Sequence, residues 1–192
     1  MRSKISILLV CLFASFSAWS QAGLQVYTGL SIGSNAAMEV TPEGTAHYGY
    51  IIGADARLIS SDMYFIIGMQ YEDISLLSQE SASFFSNEGS MQMLKGRGGL
   101  GFNLFKFSEK IILTGKVLGS LDYVYNYPAD LIVDRTPYNK LNEAVLGATG
   151  SLGIQAYNLT LEFEYEYSLL NTYFKQKDSK FSYMAIKVGF FF

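Results

Sequence analysis

The sequence predicts an all-β protein: an eight-stranded antiparallel up-and-down transmembrane β-barrel. Three observations predict it. The last twelve residues carry an unbroken apolar row at every second position, Met184, Ile186, Val188, Phe190 and Phe192, while the other row, from Tyr183 to Phe191, mixes small residues with Lys187. One greasy face and one mixed face suit a strand with lipid outside and a polar interior. Seven further period-2 segments precede it, and the links between all eight alternate strictly between long and short. Outer-membrane barrels place long loops outside the cell and short turns in the periplasm.

The first element is expected to be removed. Arg2 and Lys4 form a basic n-region, residues 5–18 a short apolar h-region, and Ala18-Trp19-Ser20 sets small residues where a signal peptidase reads. Residues 1–20 are therefore read as a signal peptide and residues 21–192 as one barrel domain. The h-region is too short for a spanning helix of about 20 residues. A lipoprotein site at Cys11 is the rival reading, but Val10 is large for such a site and Cys11 lies inside the h-region. Cys11 is the sole cysteine, so the mature chain has no disulfide and no cysteine metal site. Losing Arg2 and Lys4 moves the formal charge from −3 to −5, with 12 basic against 17 acidic residues. An acidic export product with no basic run is not a nucleic-acid binder.

The strands follow in order. They are expected at 24–33, 47–58, 63–73, 91–104, 111–123, 142–156, 159–170 and 181–192. Most approach the 9–11 residues that a tilted strand needs to cross a bilayer. The links 59–62, 105–110 and 157–158 are short, and 34–46, 74–90, 124–141 and 171–180 are long and mostly polar. A turn centred on Ser60-Ser61 would pair Arg57 with Tyr64, Gly53 with Gly68 and Gly49 with Glu72, and on the other face Leu58 with Met63, Ala54 with Ile67 and Tyr50 with Tyr71. Tyr48, Tyr50 and Tyr71 then mark an outer aromatic belt, and Phe105, Phe107, Phe190 and Phe192 an inner one.

The inward rows carry the candidate site. Asp55 and Arg57 come from the second strand, Glu72 from the third, Lys95 and Arg97 from the fourth, and Lys116 and Asp122 from the fifth. The seventh strand supplies Glu162, Glu164 and Glu166, and the last supplies Lys187. An eight-stranded barrel has room inside only for side chains, so these groups must pair with one another. Centring the last hairpin on its loop sets Glu164 opposite Lys187. The plain reading is a salt-bridged polar core; a proton or ion path, or a Ca²⁺ site on the glutamate ladder, is the functional rival.

Together these features resemble the small eight-stranded outer-membrane barrels, a group that includes the OmpX and OmpA transmembrane domains and the PorT-like barrels of Bacteroidota. The resemblance rests on the signal peptide, strand count, loop asymmetry, the glycine-rich strand Leu94-Lys-Gly-Arg-Gly-Gly-Leu-Gly-Phe-Asn-Leu104 and the terminal Phe192. It implies a structural or interaction barrel, an accessory of an envelope secretion or assembly machine, or a lipid-modifying enzyme. Lipid A deacylases of this architecture use a His-Ser-Glu arrangement at the outer rim, so His47, the sole histidine, is the residue to weigh. It has only Thr45 and Glu43 as loop neighbours, short of a nucleophile and an orienting carboxylate.

Other motifs have simpler readings. Gly96-Arg-Gly98-Gly-Leu-Gly101 matches the dinucleotide fingerprint, yet alternation runs through it with no following helix. Asn158-Leu-Thr160 has the glycosylation pattern but lies in a tight turn. Leu76-Leu77 and Phe84-Phe85 are expected to pack under the second long loop or to meet a partner. The same alternation also fits a soluble lipocalin-like barrel with its faces reversed, burying the apolar row around a ligand. The reading favoured is a non-catalytic outer-membrane barrel without cofactor or metal. Its partners would be outer-membrane lipid and lipopolysaccharide, the insertion machinery through the last strand, and a protein at the outer loops.

Overall fold

A strand whose alternate side chains differ in polarity is stable only when each face meets its own solvent, and a sheet in lipid has no water to satisfy its edges. Both conditions are met by closure. The computed structural model describes residues 22–35, 47–60, 62–75, 90–127, 132–133, 136–137, 141–172 and 179–192. Its strands are β1 (Ala22–Asn35), β2 (His47–Ser60), β3 (Met63–Ser75), β4 (Ser90–Ser108) and β5 (Ile111–Asn126), then the two-residue β6 (Ile132–Val133) and β7 (Thr136–Pro137), then β8 (Ala144–Ala156), β9 (Leu159–Ser168) and β10 (Phe181–Phe191). Eight of them form a closed antiparallel barrel in the order β1-β10-β9-β8-β5-β4-β3-β2. β6 and β7 pair only with each other, within the long link expected at 124–141. The expected signal peptide, with Cys11, and the pairs Leu76-Leu77 and Phe84-Phe85 lie outside the described residues.

The register corrects two sequence expectations by the same step. In the β2–β3 hairpin Ser60 pairs with Met63, so Arg57 faces Ile66, Gly53 faces Gln70 and Gly49 faces Ile74. On the other face Leu58 meets Phe65, Ala54 meets Met69 and Tyr50 meets Asp73. In β9–β10, Lys187 pairs with Glu162, and Glu164 with Ala185. Each is a slip of two residues, which keeps every side chain on its own face; alternation fixes the face and leaves such slips undetermined.

The 105–110 link tightens to Glu109-Lys110, and the third short turn is Tyr157-Asn158, as expected. The last places Tyr157 at φ 56, a left-handed conformation that non-glycine residues adopt mainly in tight hairpin turns. At the other short end, β4 runs further than expected. Bulges between Asn103 and Phe105 and between Lys106 and Ser108 shift its register against β5. The first bulge sets Phe105 beside Leu113, so the ring turns outward, where strict alternation would have aimed it into the lumen. Phe105 and Phe107 then meet edge to face at 4.8 Å, and Phe190 and Phe192 do the same at 4.9 Å. At the long-link end Tyr71 lies 5.9 Å from Tyr50 and 6.5 Å from Tyr125.

Candidate functional site

The inward rows meet in the lumen as stacked ionic layers. The expected interior charges, Asp55, Arg57, Glu72, Lys95, Arg97, Lys116, Asp122, Glu162, Glu164, Glu166 and Lys187, are all buried. Five cations and six carboxylates removed from water would cost several kcal/mol per ion if left apart. β9 organises their pairing, because Glu162, Glu164 and Glu166 rise two residues at a time and each serves a different layer.

Nearest the short turns, the Arg57 guanidinium lies between the rings of Tyr64 (5.1 Å) and Phe191 (4.8 Å) and 3.5 Å from Glu162. It also donates to Gln155 at 3.0 Å and to Gln25. Above it, the Lys116 Nζ sits 2.7 Å from Glu162 and 3.5 Å from Asp55, and donates to Gln25 at 3.1 Å. Gln25 in turn donates to Glu162 and Thr160, each at 2.8 Å. In the next layer Glu164 accepts from both Lys187 and Arg97. Arg97 also donates to the Tyr27 hydroxyl at 2.9 Å and to Gln70, and Lys187 lies 4.6 Å over the Tyr27 ring. Highest is Lys95, 2.8 Å from Glu72, 3.1 Å from Glu166 and 3.6 Å from Asp122, with its ammonium 4.2 Å over Tyr183. Ser120 donates to Glu166 at 2.9 Å.

An apolar cap follows towards the long links: Ile74, Met91, Met93, Val124, Leu141 and Phe181 cluster around Tyr183. His47 lies beside this cap, buried, with Nδ1 3.1 Å from the Ser75 carbonyl and its ring 5.9 Å from Phe181. The expectation of a rim position for His47 is therefore refined to an inward one; Thr45 and Glu43 lie outside the described residues. Among the described residues no group of three or more His, Cys, Asp or Glu side chains is arranged to hold a metal ion. On the glutamate ladder, lysine and arginine occupy the places that a cation would take.

The outer face is the inverse. Met184, Ile186, Val188, Phe190 and Phe192 are exposed, as are Ile67 (62%) and Val117 (65%) on other strands. A lipocalin-like barrel would show Glu162, Glu164 and Glu166 to water and bury this row; here each is only 2% exposed. The faces rule that alternative out.

Charge alone does not reveal the neutral members of the network. Gln25, Tyr27, Gln70 and Tyr183 stand on the same inward rows and join the ionic layers, so the signal was the row rather than the residue type. Asn158 has a second role. Its backbone carbonyl accepts from the Phe191 N–H at 2.7 Å and its side-chain amide donates to the Phe191 carbonyl at 2.8 Å. The glycosylation-like asparagine is a clamp on the end of the last strand.

Comparison with one solved structure gives the same architecture. Neisserial surface protein A shares the fold, with a TM-score of 0.56 and 11% identity over 89% of this chain and 97% of that one. Ail, the attachment invasion locus protein of Yersinia pestis, gives a TM-score of 0.43 with 12% identity over 89% of this chain and 97% of that one. The N-terminal β-barrel domain of Pseudomonas aeruginosa OprF gives 0.44 with 10% identity over 88% and 97%. No family model and no curated protein matches the chain, so none selects among the OmpX, OmpA and PorT-like groups.

Proposed function

We propose that this chain is an integral outer-membrane protein whose closed, ion-packed barrel is a scaffold holding its long-link end outside the cell as an interaction surface. The observation that carries it is the inversion of faces: large apolar side chains exposed all around, the eleven expected lumen charges buried within. Water would penalise the first, and only internal pairing makes the second tolerable. Lipid solves the exterior, and closure satisfies the backbone there. A lumen filled by layered side chains suits a scaffold better than a diffusion pore, which needs about 16 strands. His47, buried and turned inward beside the cap, supports a non-catalytic reading over a lipid-modifying one.

The test is gel mobility in SDS of protein from washed outer membranes, with and without boiling. The expected outcome is a faster band that shifts to the full-length position only on heating. Absence of a shift, with the protein in the periplasmic extract, would overturn the reading.

A further inference from the structure

Outside the barrel, along the seam where β1 meets β10, the wall is not smooth. A groove of about 730 Å³ follows the strands there. Gly29 and Ala185 line its floor, and Ala185 itself packs inward against Tyr27 and Ile51. Ile52 stands on one side, and Phe163 and Met184 on the other. Along β1 the groove extends from Thr28 to Ile32, a rise of about 14 Å at roughly 3.4 Å per residue. With barrel strands tilted by about 35–45°, that spans roughly 10–11 Å of depth, within one leaflet of a hydrocarbon core about 30 Å thick.

Its polarity is graded. The Thr28 hydroxyl donates to the Ile51 carbonyl at 2.9 Å, so it asks nothing of an occupant. Tyr50 stands at the end nearest the long links, tilted against Tyr71. Everything between is hydrocarbon, with a phenol at the end where headgroups would lie. The groove is also small for a protein partner. Eleven residues line it, about half of the 20–30 that each side of a stable protein interface contributes.

We propose that this groove retains one hydrocarbon chain of an outer-leaflet lipid, held longer than the lipids around the rest of the wall. The inference rests on the membrane reading above. Trp19 is the only tryptophan and falls within the expected signal peptide, so the mature chain of residues 21–192 provides a silent background. On that background Ile52→Trp reports from the groove and Leu121→Trp from the opposite wall. The two sites are 52% and 53% exposed and flank the Lys95 layer, Ile51 pairing with Glu72 and Leu121 preceding Asp122.

Both variants are reconstituted into vesicles of phosphatidylcholine brominated on its acyl chains, then diluted into excess unbrominated vesicles with exchange allowed. The expected result is initial quenching of both, followed by full recovery at Leu121→Trp and retained quenching at Ile52→Trp. Equal recovery at both sites would overturn the groove while leaving the membrane reading intact. Quenching at Leu121→Trp alone would show the groove covered by a second copy of the chain and would equally overturn it. Quenching at neither site would remove the membrane reading itself.

Discussion

Glu164 is shared by two cations from different strands, Lys187 on β10 and Arg97 on β4. Removing one partner of a buried ionic cluster leaves the others unpaired, which costs about 3–5 kcal/mol. Glu164→Ala is therefore expected to lower the temperature at which the barrel loses its SDS-resistant gel mobility. Lys180, partly exposed over the Tyr167 ring, gives the comparison; its alanine variant should cost no more than about 0.5–1 kcal/mol. Equal stability of the two variants would remove Glu164 from its place at the centre of the layer. The contact between Glu164 and Lys187 was legible from the last hairpin, but its geometry was not. The pair meets diagonally because Lys187 is directly opposite Glu162, and long side chains reach such diagonal neighbours. Gln25, Gln70 and the lumen tyrosines leave no mark in a count of charges, and only their place on the inward rows could have pointed to them.

At the scale of the strand, β4 shows what glycine does in the wall. A Cβ at Gly101 would fall 2.2 Å from the Tyr64 ring, and one at Gly99 would fall 2.2 Å from the Val117 carbonyl. Both glycines face crowded neighbours. Gly98 differs, since its Cβ would meet nothing closer than 3.8 Å, and Gly96 is more open still. Gly101→Ala should therefore destabilise by about 1–3 kcal/mol through overpacking, also disturbing the ring against which Arg57 stacks. Gly98→Ala should be neutral or stabilise by up to about 1 kcal/mol, by limiting the unfolded chain. Urea unfolding in micelles, followed by gel mobility, separates the two; equal losses would contradict the steric account. Most strand starts were readable, His47, Met63, Ile111, Leu159 and Phe181 among them, because polarity changes abruptly there. The two register slips and the β4 bulges were not, since a two-residue slip preserves the alternation and a bulge is set by backbone geometry near Asn103. The β6–β7 pair is too short to carry a period.

For the whole barrel, the decisive relation is between the ionic layers and the apolar cap. Ions entering from the short-turn end would meet Arg57 stacked between two rings, and from the other end the cluster of Ile74, Met91, Met93 and Phe181. Protein in planar bilayers is accordingly expected to show no steady ionic conductance. Sustained open-channel currents from the native sequence would mean that this packing opens in the membrane. In the proposed orientation, outward function falls to the long-link end, where residues 36–46 and 76–89 lie outside the described structure.

The seam carries a kinetic consequence as well. β1 bonds to β10 along its length, Gln25 beside Phe191, so the last pairing joins the two ends of the described chain. Closing so long a loop is entropically slow, and contacts this distant in sequence delay folding. Until they meet, β1 and β10 each present a row of unpaired backbone groups, the arrangement that invites pairing with a foreign strand. An open seam is therefore where the sheet is most exposed to a foreign strand, and the Asn158 clamp on Phe191 fixes the end of β10 to the β8–β9 turn on its other side.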